Sequence, residues 1–114
     1  MDFNNQNPIF MQIADLIIDG VLAGTLQTGD RVTSVREMAA KVQVNPNTVQ
    51  RAFAYLQDRG IIFNQRGVGY FVDPEALNRT QALKKKEFME VYLPEFVKRM
   101  KLLNISVEDL KKHF

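Results

Sequence analysis

Asn47, Thr48, Gln50 and Arg51 crowd polar side chains into one short stretch, with Ser34 and Arg36 just upstream. A carboxamide can pair with adenine N6 and N7. A guanidinium can bridge guanine O6 and N7 or clamp a phosphate. Hydroxyls near helix starts, such as Ser34 and Thr48, suit phosphate oxygens instead. Further on comes Arg66-Gly67-Val68-Gly69. There the glycines let backbone approach a minor groove, and Arg66 can enter it. Types and spacing together point to double-stranded DNA as the partner.

No comparable grouping suits catalysis. The chain has one histidine, His113, and no cysteine, so no ligand set for a metal is in sight. No glycine-rich loop follows a strand and opens a helix; Gly67-x-Gly69 lies inside a hairpin pattern. Neither enzyme activity nor a cofactor is expected. The five methionines read as core gap-fillers.

The polar cluster needs elements to carry it. Asn7-Pro8 pairs an N-cap with a first-turn proline, and Ile9, Ile13, Leu16, Ile17 and Val21 follow at helical spacing up to Gly24. Thr28-Gly29-Asp30 reads as a turn leading to a short extended piece at Arg31-Val32. Ser34-x-x-Glu37 is a capping-box pattern, with Val35, Met38, Ala39 and Val42 as the inner face. A third helix starts at Asn45-Pro46. Its Val49, Ala52, Phe53 and Leu56 face inward, which leaves Asn47, Gln50 and Arg51 outside, and Gly60 closes it. Only Gln43 and Val44 separate the second and third helices, so they must cross steeply.

Ile61-Ile62-Phe63 and Tyr70-Phe71-Val72 are strand-like runs around the glycine turn. Such a hairpin is marginal alone and must lean on the helices. Phe3, Phe10, Phe53 and Phe63 are expected in the core, with Tyr55 and Tyr70 at its rim. The fold class is therefore mainly α with a small antiparallel β-hairpin: a winged helix-turn-helix over residues 1–73, followed by a helical segment over 74–114.

That second segment starts at Asp73-Pro74-Glu75 and is helical in pattern, with Pro94 set to kink or split it. Asn104 ends the long stretch, and Ser106-x-x-Asp109 caps a last turn. It is too short for a core of its own. Leu77, Phe88, Val91, Tyr92, Phe96, Met100 and Leu103 still read as buried positions. Burial against a second copy, through Phe88, Val91, Tyr92, Phe96 and Met100, answers this most simply; packing back on the winged domain is the alternative. Lys84-Lys85-Lys86 reads as a solvated face.

Charge is modest, +2 overall. Residues 1–73 hold six Lys/Arg against seven Asp/Glu, whereas residues 36–66 hold five basic groups against two acidic ones. A local basic face is the electrostatic footprint that DNA requires. The first eight residues have no basic n-region and no apolar h-region, and no apolar run reaches the roughly 18 residues of a membrane span. A soluble, cytoplasmic protein with no membrane partner is expected.

These motifs share one register with a known family. Pro8-Ile9-Phe10-x-Gln12-Ile13, Gly24-x-Leu26-x-x-Gly29-Asp30, Ser34-Val35-Arg36-Glu37-Met38-Ala39 and Val44-Asn45-Pro46-Asn47-Thr48-Val49-Gln50-Arg51-Ala52 resemble those of GntR-type transcriptional regulators. So do Leu56, Gly60-Ile61-Ile62 and Gly67-x-Gly69-x-Phe71-Val72. The short helical tail resembles the YtrA-like branch, which lacks large effector domains and dimerises through C-terminal helices. The resemblance implies DNA contact by Ser34, Arg36, Asn47, Thr48, Gln50, Arg51, Arg66, Gly67 and Gly69. It implies a homodimeric repressor on an inverted-repeat operator, and it leaves room for an unidentified small-molecule effector. Two positions depart from the family pattern. Thr33 stands where proline is usual. Pro46 stands where many relatives of other branches place a base-reading basic residue, which shifts readout onto Asn47, Gln50 and Arg51. The rival expectation is a winged-helix module that binds protein without specific DNA binding.

Overall fold

The computed structural model describes residues 7–114; Phe3, expected in the core, lies outside them. The chain divides into two compact units, one extending to Gln81 and the other Ala82–Phe114.

The first unit opens with α1 (Ile9–Ala23). Pro8, not Asn7, holds the cap position, one residue later than expected. The Asn7 carbonyl instead accepts a hydrogen bond from Gln12 Nε2 at 2.8 Å, which satisfies that buried amide. Gly24 closes the helix at φ 83°, a left-handed angle that only glycine adopts cheaply. The inward face is turned from the expected one. Ala14 and Ile18 join Ile13, Ile17 and Val21 in the core, whereas Ile9 and Leu16 are exposed.

The turn after α1 is held by Asp30, whose carboxylate accepts from Gln27 N at 2.8 Å. It delivers β1 (Arg31–Val32) onto the wing. The sheet therefore has three strands in the order β1-β3-β2, all antiparallel, with β2 (Ile62–Gln65) and β3 (Gly69–Val72) forming the hairpin. Arg31 pairs with Phe71 and Ile62 with Val72. This third strand supplies part of the support that a lone hairpin lacks. Side chains alternate between faces along a strand, so Ile62 and Val72 are buried while Phe63 is 38% exposed. Phe63 is thus a correction to the expected core. It stacks on Phe71 on the outer face, ring centroids 5.8 Å apart.

Helices α2 (Val35–Val42) and α3 (Pro46–Asp58) form the helix-turn-helix. Gln43 makes the break between them at φ 58°, ψ 51°, and Val44 N donates to Ala39 O at 3.1 Å. The core is continuous across the three helices and the sheet. Met38, Ala39 and Val42 of α2 and Val49, Ala52, Phe53 and Leu56 of α3 are all buried, and Phe53 meets Tyr70 edge-on at 4.9 Å.

Helix α4 (Ala76–Glu87) begins in this unit. Ala76 and Thr80 are buried, and Arg79 Nη1 donates to Gly60 O at 2.7 Å and to Asp73 Oδ1 at 3.1 Å. The winged unit therefore keeps the chain past the Asp73-Pro74 turn.

The second unit continues through a π-helical turn (Phe88–Tyr92) into α5 (Leu93–Leu102) and α6 (Val107–Lys111). Pro94 offers no N–H, and its ring crowds the carbonyl four residues back. The wider turn relieves that crowding, with Leu93 N bonding back to Phe88 O. The expected kink or split at Pro94 takes this form. Leu103 caps the end of α5, and Asn104 turns the chain away at φ 55°. Ser106 and Asp109 make a full capping box ahead of α6. Hydrogen bonds from the Ser106 backbone and then its side chain hold the Asp109 carboxyl below the usual aspartate range. No residue of the π turn, α5 or α6 is buried. Among the described residues, no helix is long and apolar enough to cross a membrane.

Candidate nucleic-acid interface

The candidate site is built on the start of α3. Asn45 caps that helix, its side-chain oxygen accepting from Asn47 N at 2.8 Å, and Pro46 fixes the first turn. With Val49, Ala52, Phe53 and Leu56 turned inward, Asn47, Gln50 and Arg51 all emerge exposed and Thr48 half-buried. The 3.6-residue period places them on the side of α3 away from the core.

Ser34 caps α2, its hydroxyl accepting from Glu37 N at 3.0 Å. The reciprocal half of the expected capping box is replaced. Glu37 Oε1 turns instead toward Arg31 Nη1 at 3.9 Å, an exposed pair of little energetic weight. Arg36 is exposed in the first turn of α2.

The wing tip lies between paired Gln65 and Gly69, closed by Val68 N donating to Gln65 O at 2.9 Å. Arg66, Gly67 and Val68 are exposed there. Gly67 takes φ 81° and Gly69 takes φ 137°, both unfavourable for side-chain-bearing residues. A Cβ on Gly69 would also stand 3.1 Å from Arg31 Nε. The glycine thus makes room for Arg31 to lie along the wing.

Two contacts had no counterpart in the sequence reading. Arg31 joins the wing to α2 through Gly69 and Glu37, and nothing in a two-residue strand announces its partner. The Arg51 guanidinium lies 4.1 Å above the centroid of the Phe10 ring, a tertiary contact between α1 and α3 that periodicity cannot show. Phe10 itself, expected in the core, is only half-buried.

In the tail, Phe88, Val91, Tyr92 and Phe96 are exposed, from 48% at Phe96 to 58% at Val91, and Met100 is half-buried. Exposed apolar groups in such density are what interaction surfaces commonly present.

A helix-turn-helix with an open polar front, braced by a three-stranded sheet whose hairpin carries a glycine tip, defines the winged helix-turn-helix class of DNA-binding protein. Residues 10–72 match the bacterial regulatory proteins of the gntR family, and the chain belongs to that family. It is 41% identical over 108 residues to the HTH-type transcriptional regulator YhcF of Bacillus subtilis (strain 168), covering 95% of this chain and 88% of YhcF. It is 37% identical over 76 residues to the HTH-type transcriptional repressor YtrA of the same organism, covering 67% of this chain and 58% of YtrA. A solved GntR family transcriptional regulator from Listeria monocytogenes superposes with a TM-score of 0.78 at 34% identity, covering 95% of this chain and 93% of that one. The family and these relatives are transcriptional regulators, not enzymes.

Proposed function

We propose that this chain is a homodimeric repressor that reads an inverted-repeat operator, α3 entering the major groove and the wing tip the adjoining minor groove. The observation that carries the reading is the front of α3. Asn47, Gln50 and Arg51 are exposed together on a helix whose opposite side is fully buried. Asn47 and Gln50 suit adenine edges, and Arg51 and Arg36 suit guanine edges or phosphates. Ser34 and Thr48, next to helix starts, suit phosphates. Arg66, with Gly67 and Gly69, suits a narrow groove.

The homodimer rests on Phe88, Val91, Tyr92, Phe96 and Met100, an apolar set that the single chain leaves without a core. A two-fold pair places two α3 helices on half-sites related by about one or two turns of ~34 Å. Repression is supported by the likeness to a relative named as a repressor.

A mobility-shift titration across salt concentrations, using duplexes selected by the protein from a random pool, tests the reading. Expected are a palindromic consensus and a steep loss of affinity with salt as phosphate counterions are released. Absence of any specific complex at physiological salt would favour the protein-binding module instead.

A further inference from the structure

The α1 side of α3 carries a ladder of alternating cations and rings. Arg51 and Tyr55 of α3 and Arg59 at its C-cap stand one turn apart, where i, i+4 neighbours share a face. Phe10 reaches in from α1. The Arg51 guanidinium lies over the Phe10 ring at 4.1 Å, Phe10 meets Tyr55 edge-on at 6.4 Å and 68°, and Arg59 lies over Tyr55 at 3.7 Å. Pro8, Ile9, Phe10, Asn47, Thr48 and Arg51 line an open cleft of about 390 Å³ beside it.

An exposed arginine samples many rotamers, and ordering it at an interface weakens the complex. Stacking on a ring engages the face of the guanidinium and leaves its in-plane N–H donors at the edge. Those edges are what a base or phosphate takes. Phe10 is half-buried at the edge of the core, and its ring is where Arg51 rests.

We propose that Phe10 is a positioning residue for DNA recognition: its ring holds Arg51 in the conformation that Arg51 uses on the duplex. This rests on the DNA-binding reading above. The full chain, its selected duplex and fluorescence anisotropy provide the test, with Phe10→Tyr, Phe10→Leu, Arg51→Ala and the Phe10→Leu/Arg51→Ala pair. Phe10→Tyr keeps wild-type affinity. Phe10→Leu binds about 2- to 5-fold more weakly, and that loss disappears when Arg51 is already alanine. Wild-type affinity in Phe10→Leu, or an equal loss with and without Arg51, overturns the proposal while leaving the DNA-binding reading intact. A wild-type protein that selects no duplex overturns the reading itself. Should Phe10→Leu fail to fold, the free wild-type protein decides. Ring current moves the Arg51 side-chain protons upfield if the stack persists in solution, and unshifted resonances overturn the proposal.

Discussion

The two units use apolar side chains in opposite ways. All the buried apolar residues among those described lie at or before Ala76, in α1, α2, α3, the sheet with Ile61 beside it, and the start of α4. Beyond Ala82 the chain is just as helical, yet none of its π turn, α5 or α6 is buried. Helical pattern alone does not make a core, because each apolar stripe needs a surface to cover it. The winged unit finds its surfaces within the chain. The tail leaves its own exposed, and on the proposed reading that difference separates a scaffold for DNA contact from a surface for pairing.

The sharpest way to break this contrast is a matched pair of truncations. Phe53 is fully buried against Tyr70, so Phe53→Ala is expected to cost about 3–5 kcal/mol in urea unfolding. Phe96→Ala, at low protein concentration, is expected to change the unfolding free energy of the winged unit by less than about 0.5 kcal/mol. Equal losses at the two sites would erase the distinction.

Next in size is Phe96→Asp. Placing a charge in the proposed pairing surface is expected to give a monomer by analytical ultracentrifugation. Affinity for a full inverted repeat then drops about 100-fold or more, since avidity between half-sites is lost, while affinity for a single half-site is unchanged. A Phe96→Asp protein that sediments as a dimer would move the pairing surface elsewhere.

Arg36→Ala follows, with an expected cost of ~1–3 kcal/mol in operator binding and relaxed preference at one base position. A weaker complex with unchanged sequence preference would reassign Arg36 to a phosphate.

The smallest effect concerns Asp109. Its carboxyl is held below the usual range by Ser106, so the capping contribution is present above the unfolded pKa and is lost as pH falls through the folded one. Helix α6 should loosen only below the ordinary aspartate range. Amide exchange of residues 107–111 measured against pH checks this, and earlier or pH-independent fraying would contradict it.

The sequence made some of this architecture visible and hid the rest for physical reasons. Helix α3 was legible because Asn45-Pro46 marks its start, Gly60 follows its end, and Val49, Ala52, Phe53 and Leu56 keep strict helical spacing. The outward direction of Asn47, Gln50 and Arg51 follows from those four residues. The face of α1 was less legible, because apolar residues occupy more than one side of it and several rotations fit. Ile61-Ile62-Phe63 is apolar throughout, so the exposure of Phe63 beside buried Ile61 and Ile62 showed only once the register with β3 placed Ile62 inside. A two-residue strand such as β1 has no period at all. Helical spacing says where Arg51 leaves α3, but not that a ring from α1 waits beneath it.

On the proposed reading, the front of α3 and the wing tip meet DNA while the tail does not. Backbone amide shifts of the protein, recorded by NMR as its selected duplex is added, test that most directly. The largest changes are expected at Arg36, at Asn47, Gln50 and Arg51, and at Arg66, Gly67 and Gly69. Changes centred on α5, with α3 and the wing unmoved, would contradict it.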